Sequence, residues 1–271
     1  MGNHFVFGNV NSADYGVWIS GSGTFNKPAR RVERFTIPGR NGDLTIDEGR
    51  YENVTVTYDA FISRGFEGRF HDFMAAMMSQ TGYQRLQDDY DGEHYRMAMF
   101  ANELEPTVGT LNRWGKFTLE FNCMPQRFLV SGDEWVQIGV TSAYYGLTIY
   151  NPTQYIALPV IRTTGYGMFG LTCFDAPVSV GLTWTTTISQ PTTGSLPPFI
   201  DIDSDMEECY WIVDEGTPYQ QYRYYNTLVE IERGANNPYY FPILYPGKST
   251  FYIGALDHFT DMKVKPRFWE L

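Results

Sequence analysis

With 271 residues, 17% of them aromatic and including 20 Tyr and 19 Phe, the chain is long enough for one large or two ordinary β-rich domains, and two is the reading preferred. A formal charge of −11 excludes an ordinary nucleic-acid-binding surface, which needs clustered Lys and Arg to neutralise phosphate. No apolar run approaches the ~20 residues needed to cross a bilayer, so no membrane insertion is expected.

Met1 to Val6 show neither a charged leader with an apolar run nor a lipidation signal. Cys123, Cys173 and Cys209 fall in no Cys-x-x-Cys spacing. Free buried thiols and folding in a reducing cytosol are the expectation.

Phe5 to Phe25 read as a short strand and turn, with a reversal at Ser12-Ala13-Asp14 before Val17-Trp18-Ile19. Ser22, between Gly21 and Gly23, lacks the Gly-x-Ser-x-Gly frame of a nucleophile and is read as a loop serine. Arg30, Arg31 and Arg34 form a basic island in an acidic chain. Two readings stand for it: a solvated strand face, or one side of a subunit contact with complementary acid on a neighbour.

Ile37 to Asn53 is the densest turn signal in the chain. Proline presets φ at an early turn position, and Gly and Asn accept positive φ cheaply, so Pro38-Gly39 and Asn41-Gly42 must reverse the chain. Leu44 and Ile46 alternate with Thr45 and Asp47, and Val54 to Tyr58 alternate again after Gly49. The expectation is an elaborated loop flanked by strands with one buried face each.

Phe66, Phe70, Phe73, Met74 and Met77 fall on one helical stripe, with Gly82 suited to a C-terminal cap. Tyr83 to Leu86 and His94 to Phe100 read as a hairpin around Asp88-Asp89-Tyr90-Asp91-Gly92, a polar tip rather than a metal loop. Phe117, Leu119 and Phe121 alternate in a closing strand before Pro125 and Ser131-Gly132-Asp133-Glu134 mark a boundary. The chain is thus expected to be mainly β. Residues 1–130 form a β-sandwich or barrel with one packed helix, and residues 131–271 a second, all-β sandwich of jelly-roll type. The second rests on short apolar runs at Ile156 to Ile161, Val178 to Leu182, Tyr210 to Val213 and Leu228 to Ile231.

Chemical motifs fail when tested in detail. Asp201, Asp203 and Asp205 start like a calcium loop, but Met206 and Ile212 stand where Gly and Glu are required, so an acidic outer strand face is read instead. Gly247-Lys248-Ser249 lacks the opening glycine of a phosphate loop, which is Pro242 here. His4, His71, His94 and His258 have no metal-ligand spacing. Neither metal nor cofactor is expected. Trp184, Trp211, Tyr219, Tyr222, Tyr224 and Tyr225 are a candidate sugar-stacking set, which keeps a carbohydrate-binding β-sandwich as an alternative. Carboxylate pairs among the 31 acids keep a glycan-degrading enzyme as a further one.

One string is specific as a whole. Pro38, Gly39, Arg40, Asn41, Gly42, Leu44, Ile46, Asp47, Gly49, Tyr51 and Asn53 occupy, without a gap, a pattern that resembles the N-terminal domain of the bacteriophage distal tail protein (Dit) family. Phe241 to Gly247, Ile253-Gly254, Val264 to Trp269, Gly165-Tyr166-Gly167 and the Ile200 to Asp203 strand look like parts of that family's second domain, a looser match. The resemblance implies a non-enzymatic virion protein at the tip of a long non-contractile tail. Six copies would form a ring from their N-terminal domains, with galectin-like C-terminal domains outside and DNA passing through the lumen. The implied partners are the tail tube protein, a tail-tip protein and a receptor-binding protein of the phage.

Overall fold

The computed structural model describes residues 3–100, 102–138, 144–174, 182–190, 197–217, 220–235, 237–254 and 258–271. The chain divides into two units, Met1–Val130 with Leu271, and Ser131–Glu270.

In the first unit the strands are β1 (Phe5–Phe7), β2 (Val10–Asn11), β3 (Val17–Ile19), β4 (Arg30–Phe35), β5 (Leu44–Tyr51) and β6 (Val54–Ile62). After helix α1 (Phe66–Met78) come β7 (Gln84–Asp88), β8 (His94–Met99), β9 (Thr107–Val108), β10 (Gly115–Cys123) and β11 (Arg127–Leu129). Strict apolar and polar alternation over β6 and β10 gives each one buried face. The two pair antiparallel along their whole length, Val54 opposite Cys123 and Ile62 opposite Gly115. They sit in a sheet of order β2-β1-β7-β8-β10-β6-β3, with β9 beside β10 and β11 beside β8. Strands β4 and β5 form a separate two-stranded sheet.

Aromatic rings fill this unit's core: Phe5 meets Phe121 edge-on at 5.5 Å and Phe73 at 6.3 Å. Helix α1 buries Phe66, Phe73 and Met77, while Phe70 stacks on Phe66 at 4.9 Å and meets Phe117 edge-on. Burying Phe73 completely contributes ~2–3 kcal/mol. The helix lies so close to β10 that a Cβ at Gly115 would stand 2.3 Å from the Phe66 ring. The helix stops at the expected Ser79–Gly82 stretch, but its C-cap is Ser79 and not Gly82. The Ser79 N–H returns to the Ala75 carbonyl and its hydroxyl to that of Ala76, so the last turn is closed three residues before the glycine.

The second unit contains β12 (Val136–Ile138), β13 (Tyr144–Asn151), β14 (Val160–Gly165), β15 (Gly167–Phe174), β16 (Leu182–Ile188) and β17 (Ile200–Asp203). It continues with β18 (Glu208–Val213), β19 (Gln221–Tyr224), β20 (Val229–Arg233), β21 (Gly247–Gly254) and β22 (Phe259–Lys265). Two antiparallel sheets, β12-β22-β14-β17-β18-β19 and β13-β21-β15-β16-β20, make a β-sandwich. Phe169 on β15 meets Phe259 on β22 edge-on at 5.4 Å across it. The chain is therefore mainly β with one α-helix, as expected. The apolar run expected at Val178 lies outside the described residues.

Strand β17 departs from the expectation of an acidic outer face. Asp201 and Asp203 are each 2% exposed, because cations from distant parts of the chain cover them. Arg162 grips both Asp201 oxygens at 2.6 and 2.7 Å, and Arg267 grips both Asp203 oxygens at 2.9 Å. Arg162 also holds Glu215 and lies 3.7 Å from the centre of the Phe199 ring. Pairing and hydrogen bonding let these charges leave water.

Candidate assembly surface

The Pro38 to Asn53 motif builds a hairpin in which most of the motif residues have a local task. The Arg40 N–H bonds to the Ile37 carbonyl at 3.1 Å, and Gly39 has φ of 79°. With Pro38 ahead of it, this is a type II turn, which demands positive φ at its third position. Gly42 follows with φ of 83°, and the Thr36 hydroxyl donates to Asp43 across the loop at 2.9 Å. Strands β4 and β5 then pair with Phe35 opposite Leu44 and Glu33 opposite Ile46.

The register slips between Val32 and Arg30, and Gly49, with φ of 73°, sits in the partner strand there. Asp47 Oδ1 accepts the Gly49 N–H at 2.8 Å, so Asp-x-Gly shapes an irregularity that Gly alone tolerates cheaply. At the root, Asn53 Nδ2 donates to the Tyr83 hydroxyl at 2.9 Å and to Asn122 Oδ1 at 2.5 Å, tying the hairpin to β10. Tyr51 carries the Arg30 guanidinium over its ring at 5.7 Å.

The basic island lies on β4 and is answered largely from within the hairpin. Arg30 pairs with Asp47 at 2.6 Å, and Arg31 with Glu48 at 2.9 Å and Glu52 at 3.4 Å. Arg50 pairs with Glu48 on its other side, and these cations hold the Glu48 carboxyl below its usual range. Among the described residues the side chains of Arg34 and Arg40 have no such partner.

The expected buried face of this hairpin is absent. Phe35, Ile37, Leu44 and Ile46 are 37–48% exposed on a two-stranded sheet that pairs with no further strand among the described residues. Alternation in sequence records that one face is apolar; it does not record what covers it. These apolar residues, and not the turn formers alone, are what the hairpin leaves open to solvent.

On the outer side of β6 and β10 lies an open basin of about 840 Å³. Asp59, Glu103, Glu105 and Glu120 line it with Lys116. Among the described residues no group of His, Cys, Asp or Glu is placed to hold a metal, and no helix is long and apolar enough to cross a membrane. Cys123 and Cys209 are free and buried, and burial pushes both thiols up to about 12. Of the candidate sugar-stacking set, Trp184 is a core residue whose indole N–H is bound to the Tyr239 carbonyl. Tyr222 and Tyr224 stand exposed on β19, and Tyr219 lies outside the described residues.

No protein-family model matches the chain, and no curated protein matches it. Solved structures do. The crystal structure of SPP1 Dit (gp 19.1) aligns with 99% of this chain and 99% of that one, at a TM-score of 0.59 and 14% identity.

The chain has the fold of SPP1 Dit.

That protein is described as a paradigm of the hub adsorption apparatus in phages infecting Gram-positive hosts. A chain of the phage p2 baseplate in its activated conformation aligns over 96% of this chain and 97% of its own, at a TM-score of 0.50 and 9% identity. Both alignments run through the two units, so the likeness to Dit is one of whole-chain architecture.

Proposed function

We propose that this chain is a structural component of a phage tail hub. Six copies form a ring at the distal tail tip, join the tail tube to the host-adsorption apparatus and let DNA pass. The observation that carries this reading is the β4–β5 hairpin, an apolar-faced element whose Phe35, Leu44 and Ile46 stay 43–48% exposed. A cyclic assembly needs two different faces on each subunit, and an uncovered hairpin supplies one. The carboxylates of the β6–β10 basin suit a surface past which DNA moves without capture, by like-charge repulsion. The second unit serves as the platform for receptor-binding partners, and no catalytic step is assigned to either unit.

The test is negative-stain electron microscopy of the purified protein at high concentration, with its mass from light scattering. Sixfold rings are the expected result. A monomer in the presence of the tail tube protein as well as alone overturns the reading.

A second reading rests on Tyr222 and Tyr224, 44% and 55% exposed, which pack edge-on over the buried Tyr210. Exposed rings of this kind stack on pyranose faces. Saturable binding on a glycan array that is lost in Tyr222→Ala/Tyr224→Ala would support it, and an array without signal would end it.

A further inference from the structure

Strand β13 stands at one end of the sheet β13-β21-β15-β16-β20 and, among the described residues, pairs with β21 alone. In an antiparallel ladder alternate residues turn their N–H and C=O groups to either side, so half of this strand's backbone faces away from the sheet. Such an edge invites another strand, and folded chains blunt it by brevity, charge or proline. The other sheet ends obey that rule. Strands β2, β3 and β12 have two or three residues, and β19 has four with Arg223 among them. Charges run along β4 and β5, and β20 carries Glu230, Glu232 and Arg233. Strand β13 has eight residues, Tyr-Tyr-Gly-Leu-Thr-Ile-Tyr-Asn, with neither a charge nor a proline.

That sequence is complementary to itself. Directly opposite residues of an antiparallel pair share a face. A two-fold axis perpendicular to the sheet at Thr148 sets Thr148 against its own copy, Leu147 against Ile149 and Gly146 against Tyr150. Thr148 and Tyr150 are exposed, Tyr150 to 68%, while Ile149 on the opposite side of the strand is 6% exposed. Thr–Thr and Leu–Ile are favourable cross-strand neighbours, and a ring laid over an edge glycine takes the place of the missing side chain. Other registers fare worse. A slip of one residue sets inward side chains against outward ones. An axis at Gly146 sets glycine against glycine, and one at Tyr150 sets Thr148 against Pro152, which has no N–H to donate.

We infer that two copies of the chain join by antiparallel pairing of β13 with its counterpart about an axis at Thr148, making one continuous sheet from two five-stranded ones. The contact is isologous. It is therefore none of the head-to-tail contacts of a ring, and it stands or falls independently of the hub reading. A single strand pair is a small interface, so association in the micromolar range is expected.

The test places a thiol on the axis. Thr148→Cys does so, whereas Thr183→Cys puts an exposed thiol on β16, three strands further into the sheet. Cys123 and Cys209 are buried, the wild type supplies the background, and far-UV circular dichroism checks that each variant folds. Under mild oxidation a disulfide-linked dimer on a denaturing gel is expected from Thr148→Cys and not from Thr183→Cys. Denaturation dissolves any ring, so the readout is blind to the hub reading. No dimer from Thr148→Cys, or equal dimer from both variants, overturns the pairing. A crosslink from Thr148→Cys to an added tail protein, with none between copies, gives the edge to that protein and overturns it as well.

A second arm uses charge. Thr148→Lys and Thr148→Glu each set like charges against each other across the axis and are expected to weaken association by about fivefold. Their equimolar mixture sets Lys against Glu and is expected to recover it. A mixture that sediments no faster than its components overturns the pairing.

Discussion

The phenol of Tyr58 lies 2.5 Å from Asp88 Oδ2, inside the aromatic core of the first unit. Thr24 donates to the same oxygen at 2.7 Å, and the other oxygen accepts the N–H groups of Tyr90 and Asp91. One carboxylate thereby ties β6 to the β7–β8 turn. Burial first, and Asp88 second, push the Tyr58 hydroxyl well above the usual phenol range, so it remains a donor in alkali. Tyr58→Phe keeps the ring and removes the donor. The expected loss is about 1–3 kcal/mol in urea unfolding, with the fold retained.

Asp91 sets a pH limit. Burial alone would raise its pKa, but His94 at 2.9 Å and the contacting Arg127 outweigh that and hold it below the ordinary carboxylate value. A depressed folded pKa adds stability above the unfolded value of 3.8, and that stability is lost as pH falls through the folded pKa. Asp91→Asn should lower the urea midpoint clearly at pH 7. Near pH 3 the gap between variant and wild type should narrow, and an unchanged gap would contradict the assignment.

Arg162 holds Asp201 and Glu215 together in the second unit, and it keeps the Glu215 carboxyl below its usual range. Arg162→Met leaves Asp201 buried without its cation. A cost of about 3–5 kcal/mol is expected, seen as an earlier unfolding transition of the second unit by calorimetry.

Gly39, Gly42 and Gly49 all have positive φ and open space where a Cβ would stand. Alanine at the three positions therefore brings backbone strain of roughly 1 kcal/mol each but no clash. The hairpin carries little of the core, so the melting temperature should move little while ring formation fails. Normal rings from the triple variant would show that the loop geometry is dispensable.

Patterns with one spatial meaning were readable before the structure. Strict alternation marked β6 and β10, and the spacing of Phe66, Phe70, Phe73 and Met77 marked α1, because each period points one way only. Where polarity has two spatial solutions, reading failed. Asp201 and Asp203 alternate like a solvated face, yet Arg162 and Arg267, 39 and 64 residues away, seal them from water. Leu44 and Ile46 alternate like a buried face, yet they stay 43% and 48% exposed.

The Asn53 anchor has a mechanical side. Strand β5 has 8 residues, which at ~3.3 Å each make an arm of about 26 Å pivoting on that side chain and its partners Tyr83 and Asn122. A tilt of roughly 10° at such a pivot carries the far end about 4–5 Å, close to the spacing of neighbouring strands. Any small adjustment of β10 is thus magnified at the tip, and in the ring proposed above a series of such levers would hand the displacement on from copy to copy.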